Sequence, residues 1–170
     1  PARNYLDSFR PIADEFGVIV LAPEASSQTW DLLIGGFGPD VDFINASLQA
    51  AFNQVRVDPA RIYSSGFSDG ASYSLALGLT NGDVFTRIAA YSPGFLQTFI
   101  NRGHPELFIT HGTRDQVLPV EASRNIVDQL RSAGYQVEFR EFDGPHAVSL
   151  SLARASYEWM VRPPASSRLG

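Results

Sequence analysis

The chain has 170 residues, enough for one domain with a substantial hydrophobic core, and its 44% apolar and 18% charged residues exclude a disordered or fibrous protein. Thirteen basic residues against 18 acidic ones leave a net charge of −5, a poor surface for neutralising phosphate, so no nucleic-acid partner is expected. Every basic residue is Arg, which removes lysine Schiff-base and P-loop chemistry, and the absence of Cys removes thiol nucleophiles, thiolate metal sites and disulfides.

The predicted elements begin with a helix around Tyr5–Phe16 and continue with a short apolar run, Val18–Ala22, that fits a strand and is too short to span a bilayer. The N-terminus lacks the layout of a signal peptide, so the chain is expected to be soluble, in a compartment left open. Val41, Phe43, Ile44, Leu48 and Phe52 fall at helical spacing over Asp40–Val55, entered through Gly35-Gly36-Phe37-Gly38. Strands are predicted at Arg61–Ser65, Arg87–Ser92, Glu106–His111 and Val137–Phe142. Ala71–Leu77 reads as a helix, and so does Val120–Ala133, with Pro119 at its entry and Gly134 at its exit. Alternating strands and helices call for a mostly parallel sheet with helices on both faces, the α/β class, in which chemistry gathers at the carboxyl ends of strands. Residues 1–162 read as one domain and Pro163–Gly170 as a flexible tail.

Directly after the Arg61–Ser65 strand stands Gly66-Phe67-Ser68-Asp69-Gly70, a G-x-S-x-G pattern between a strand and a helix. Such a turn thrusts the serine hydroxyl above the sheet and leaves little room for side chains two residues to either side. A hydroxyl needs a base to become a nucleophile, and the chain offers three histidines. His104 lies in a polar turn and reads as solvated; His111 ends a strand and reads as a structural hydrogen bond. His146, in the loop after the last strand, can lean back over the strand ends and is the base candidate. The order Ser, Asp, His asks for an orienting acid between them, and Asp115, in the loop after Glu106–His111, fits best. Asp143 competes but reads as a turn residue beside Gly144, and Asp128 lies within a helix.

Thr29-Trp30-Asp31, Gly35–Val41, Val57-Asp58-Pro59-Ala60-Arg61, Gly66–Gly70, Ser92-Pro93-Gly94-Phe95, His111-Gly112-Thr113 and Asp115 together resemble the α/β-hydrolase esterases of the phospholipase/carboxylesterase and polyhydroxybutyrate-depolymerase-like group. The resemblance implies a Ser68, Asp115, His146 triad that cleaves carboxylic esters through an acyl-enzyme, without cofactor or metal. It also implies that the Asp69 backbone N–H is one oxyanion donor and that Trp30, Phe95, Val117 and Leu118 lie near the substrate. The expected substrate is a small-molecule or polymer-end ester.

Members of this group begin with strands and a His-Gly oxyanion loop that this sequence does not show. The expectation is therefore a C-terminal portion of a longer hydrolase, its N-terminal strands missing and supplied by an upstream polypeptide segment. Only 13 residues separate Ser92 from Glu106, too few for a helical cap domain, so an open site is expected. A noncatalytic scaffold that keeps the fold and a peptidase using the same three residues are the competing readings.

Overall fold

The computed structural model describes residues 2–33, 35–97 and 100–163. Five α-helices and four strands follow in chain order among these residues: α1 (Ala2–Phe16), α2 (Pro39–Gln54), β1 (Tyr63–Phe67), α3 (Asp69–Thr80), β2 (Arg87–Tyr91), β3 (Glu106–Gly112), α4 (Val120–Ser132), β4 (Val137–Phe142) and α5 (Leu150–Val161). The strands form one parallel sheet in the order β1-β2-β3-β4. Most of the predicted tail, residues 164–170, lies outside the described residues.

Because side chains alternate across a strand, each central strand feeds two layers. Ile88 and Ala90 of β2 and Leu107 and Ile109 of β3 pack with Ala71, Leu75 and Leu79 of α3 and Ile126, Val127 and Leu130 of α4. Ala89, Tyr91 and Phe108 point the other way, onto Phe9 and Ala13 of α1 and Ala153, Tyr157 and Met160 of α5. Both faces of the sheet are thus covered, as a parallel sheet requires. A third cluster seats Ile44 of α2 and Leu32 against Tyr73, Ala76 and Leu77 on the side of α3 away from the sheet.

Arg87 ties the α5 layer to the strands. Its buried Nη1 lies 2.9, 2.6 and 2.7 Å from the carbonyls of Trp159, Met160 and Arg162, while Nε donates to Glu106. A cation at the last carbonyls of a helix offsets both their unmet hydrogen bonds and the helix dipole.

The predicted strand at Val18–Ala22 is absent: among the described residues the segment joins no ladder, and β1 pairs with β2 alone. Val18 and Val20 nonetheless pack on the α1/α5 cluster, while Ile19 and Leu21 are 65% and 44% exposed. The segment keeps the alternation of a strand without a hydrogen-bonding neighbour. β1 also starts two residues later than expected, because Pro59–Arg61 form a 3₁₀ turn capped by the Asp58 carboxylate on the Ala60 N–H. No helix lies between β2 and β3 among the described residues; Arg102 N–H instead donates to Leu79 O at the end of α3. That connection is too short for a cap domain, and none is present among those residues.

Candidate active site

The turn from β1 to α3 puts Ser68 at the carboxyl edge of the sheet in a left-handed conformation, φ +55° and ψ −121°. Its N–H donates to Tyr91 O at 2.9 Å, and its carbonyl accepts from Ala71 and Ser72, so the backbone is pinned from both sides. A Cβ on Gly66 would sit 2.1 Å from Gly70 O, whereas one on Gly70 would meet only Trp30 Nε1, at 3.7 Å. The close approach therefore requires glycine at 66 alone; the expectation of equal crowding at Gly70 is corrected, because the residue after next already lies inside α3, where its Cβ points outward.

The β3–α4 and β4–α5 loops meet at Gly112, where a Cβ would stand 2.4 Å from Gly144 O and 2.5 Å from Pro145 O. The same contact is bonded by Thr113 N–H to Phe142 O and Arg114 N–H to Gly144 O, at 2.8 and 2.9 Å. This backbone-on-backbone packing brings Asp115 and His146 together. His146 Nδ1 lies 2.5 Å from Asp115 Oδ2, and Ser68 Oγ lies 2.9 Å from His146 Nε2. A carboxylate only accepts, so Nδ1 carries the proton and Nε2 is left to accept from Ser68. Phe67 flanks the imidazole, ring centroids 4.7 Å apart.

The Asp115 side chain is fully buried, and its second oxygen, Oδ1, accepts from the N–H groups of Val117 and Leu118, each at 2.8 Å. Burial pushes its pKa up, but the hydrogen bonds from Leu118, His146 and Val117 outweigh that and hold the carboxyl below its ordinary range. His111, itself fully buried, adds a further contact: Nε2 is 3.1 Å from Asp115 Oδ2. Asp143 turns away to an exposed ion pair with Arg114, 2.7 Å, and His104 and Asp128 are exposed. Ser68, His146 and Asp115 are thus hydrogen-bonded in a row; Asp143, His104 and Asp128 stand apart from it, and His111 touches it only at Asp115.

The flanking residues are placed by less visible bonds. Asp31 Oδ2 accepts from Gly38 and Asp40 N–H, and the buried Asp40 carboxylate accepts from Ser26 and Asp31 N–H, a reciprocal clasp at the entry to α2. Burial raises the Asp40 pKa, but bonds from Ser26 and Asp31 lower it further, leaving it depressed. The clasp holds Trp30 stacked on Tyr73, centroids 4.5 Å apart, with its Nε1 edge toward Gly70. Ser72 Oγ accepts from the N–H groups of Gly94 and Phe95, fixing the loop after β2 over α3. Leu118 lies against Gly94, and Val117 is 67% exposed. Asp69 opens α3, where first-turn N–H groups have no acceptor within the helix, and its carboxylate accepts from Thr29 Oγ. Sequence reasoning missed Ser72 and gave Thr29 no role of its own; Ser72 stands one helical turn beyond Ser68, and that spacing is the only signal it leaves.

The phospholipase/carboxylesterase family matches residues 40–156, from the start of α2 into α5. The chain belongs to that family. It is 28% identical to a poly(3-hydroxybutyrate) depolymerase of Ralstonia pickettii over 93 residues, 48% of this chain and 19% of that protein. It is 29% identical to feruloyl esterase C of Emericella nidulans over 115 residues, 67% of this chain and 42% of the relative. The chain thus spans less than half the length of these curated relatives. Among solved structures, esterase PE8 superposes with a TM-score of 0.76 at 20% identity, covering 94% of this chain and 87% of the other. FphF, a fluorophosphonate-binding serine hydrolase of Staphylococcus aureus, superposes with a TM-score of 0.74 at 16% identity, covering 94% and 78%. These likenesses show the α/β-hydrolase fold.

Proposed function

We propose that this chain carries the catalytic residues of a serine carboxylic ester hydrolase, with Ser68 as nucleophile, His146 as general base and Asp115 as the acid that orients it. The observation that carries the reading is the continuous row from Ser68 Oγ through His146 to Asp115, at 2.9 and 2.5 Å. Ser68 Oγ attacks the ester carbonyl as His146 Nε2 takes its proton, and Asp115 stabilises the imidazolium that forms. The oxyanion develops beside the first turn of α3, where the Asp69 N–H is the donor in this chain. Collapse expels the alcohol with the proton from His146; water, activated by the same imidazole, then releases the acid and restores Ser68. The chemistry needs no metal or cofactor.

The substrate class is a small or polymer-end ester, reached through a site that no helical cap covers among the described residues. The names of the relatives, a polyester depolymerase and a feruloyl esterase, point toward esters of this kind. The unpaired edge of β1 and the unladdered Val18–Ala22 segment fit an upstream polypeptide strand that pairs there and supplies a second oxyanion donor. Turnover of a short-chain aryl ester, set beside a peptide anilide, tests the reading with and without that upstream segment. Ester turnover lost with Ser68→Ala supports it; preference for the anilide, or activity that survives Ser68→Ala, contradicts it.

A further inference from the structure

We propose that His111 is a positioning residue for Asp115, a second imidazole that is bonded to the Leu118 carbonyl and stands against the same carboxylate oxygen as His146. The inference rests on the reading of Ser68, His146 and Asp115 as the reacting row. His111 closes β3 and has no exposed surface, and both its ring nitrogens are engaged. Nε2 lies 2.9 Å from Leu118 O and 3.1 Å from Asp115 Oδ2, two groups that only accept, so Nε2 carries the proton. Nδ1 lies 2.6 Å from the Oγ of Ser123, a fully buried residue of α4. In the neutral ring that hydroxyl donates to Nδ1, and Ser123 thereby selects the tautomer that presents N–H to Asp115.

With His111 in place, the Asp115 carboxylate receives three N–H groups, Val117 and Leu118 on Oδ1 and His146 on Oδ2, while His111 Nε2 stands against Oδ2 at 3.1 Å. The same Nε2 is bonded to the carbonyl of Leu118, the residue whose N–H holds Oδ1, so His111 fixes the loop that carries the carboxylate as well as one side of the carboxylate itself. The carboxylate cannot swing about its own axis, so the His146 ring is held in plane for Ser68.

The test is steady-state hydrolysis of a short-chain aryl ester by the full-length protein and its His111→Leu, His111→Gln and Ser123→Ala variants, with Ser68→Ala alongside. His111→Leu is expected to lower kcat about tenfold to a hundredfold, the cost typical of losing a partner that orients a histidine, with KM within about twofold. Gln sets an amide N–H near the position of Nε2 and is expected to restore most of kcat, while Ser123→Ala falls between. Unchanged kcat in folded Ser123→Ala, or a His111→Gln no more active than His111→Leu, overturns the proposal, and Ser123→Ala decides it even where His111→Leu does not fold. Activity surviving in Ser68→Ala overturns instead the reading on which it rests.

Discussion

The two ends of the hydrogen-bonded row are built differently. The Asp115–His146 end, where the β3–α4 and β4–α5 loops touch at Gly112 and Gly144, is closed: backbone is bonded to backbone, and the buried Asp115 carboxylate has both oxygens occupied. The Ser68 end rests on β1, an edge strand whose outer side has no ladder among the described residues, next to a segment that exposes Ile19 and Leu21. A buried carboxylate without donors is far costlier than a free strand edge in water, so the Asp115–His146 end has to be complete within the chain, whereas the Ser68 end can stand open.

The sharpest way to break this comparison is at its closed end. Asp115→Asn is expected to lower kcat by about ten thousandfold, because the amide cannot hold the required tautomer of His146, whereas Asp143→Asn leaves kcat nearly unchanged. Single-turnover and steady-state rates on an aryl ester check both. Next in size are the packing glycines. Gly112→Ala and Gly66→Ala force carbonyls apart and are expected to destabilise the fold by about 2–4 kcal/mol, while Gly70→Ala, with 3.7 Å of room, stays within about 1 kcal/mol. Urea midpoints at constant slope distinguish them.

A smaller effect should appear on acidification. Asp40 and Asp115 both have depressed pKa values in the fold, so the stability they contribute is present above the ordinary carboxylate range near pH 4 and is lost as pH falls through their lower folded values. Asp40→Asn is expected to flatten that acid transition and to cost about 1–3 kcal/mol at neutral pH, measured by thermal unfolding between pH 7 and pH 3. Smallest is the open end: Ile19→Ser is expected to shift stability by no more than about 0.5 kcal/mol, against about 3–5 kcal/mol for Phe9→Ala in the same layer.

What was legible in the sequence follows the same division. Ser68 could be read because its turn needs a local pattern of glycines, and His146 and Asp115 because a parallel sheet brings successive strand ends to one edge. The contact of His111 with Asp115 could not, since a strand-terminal histidine looks alike whether it bonds a helix hydroxyl or also a carboxylate in the next loop; only the fold of residues 112–118 decides. Val18–Ala22 misled for a related reason. Its composition records one packed face, while a strand is defined by a partner, and partners are not written in a single segment. Arg61 was drawn into β1 by its apolar neighbours, although Asp58-Pro59 before it already marks a capped turn.

The account turns on Ser68 being the nucleophile. Reaction with an organophosphonate followed by peptide mass spectrometry addresses that directly. The expected result is a single covalent adduct on Ser68, lost in Ser68→Ala and strongly slowed in Asp115→Asn; an adduct on another serine, or equal labelling of Ser68→Ala, contradicts the account.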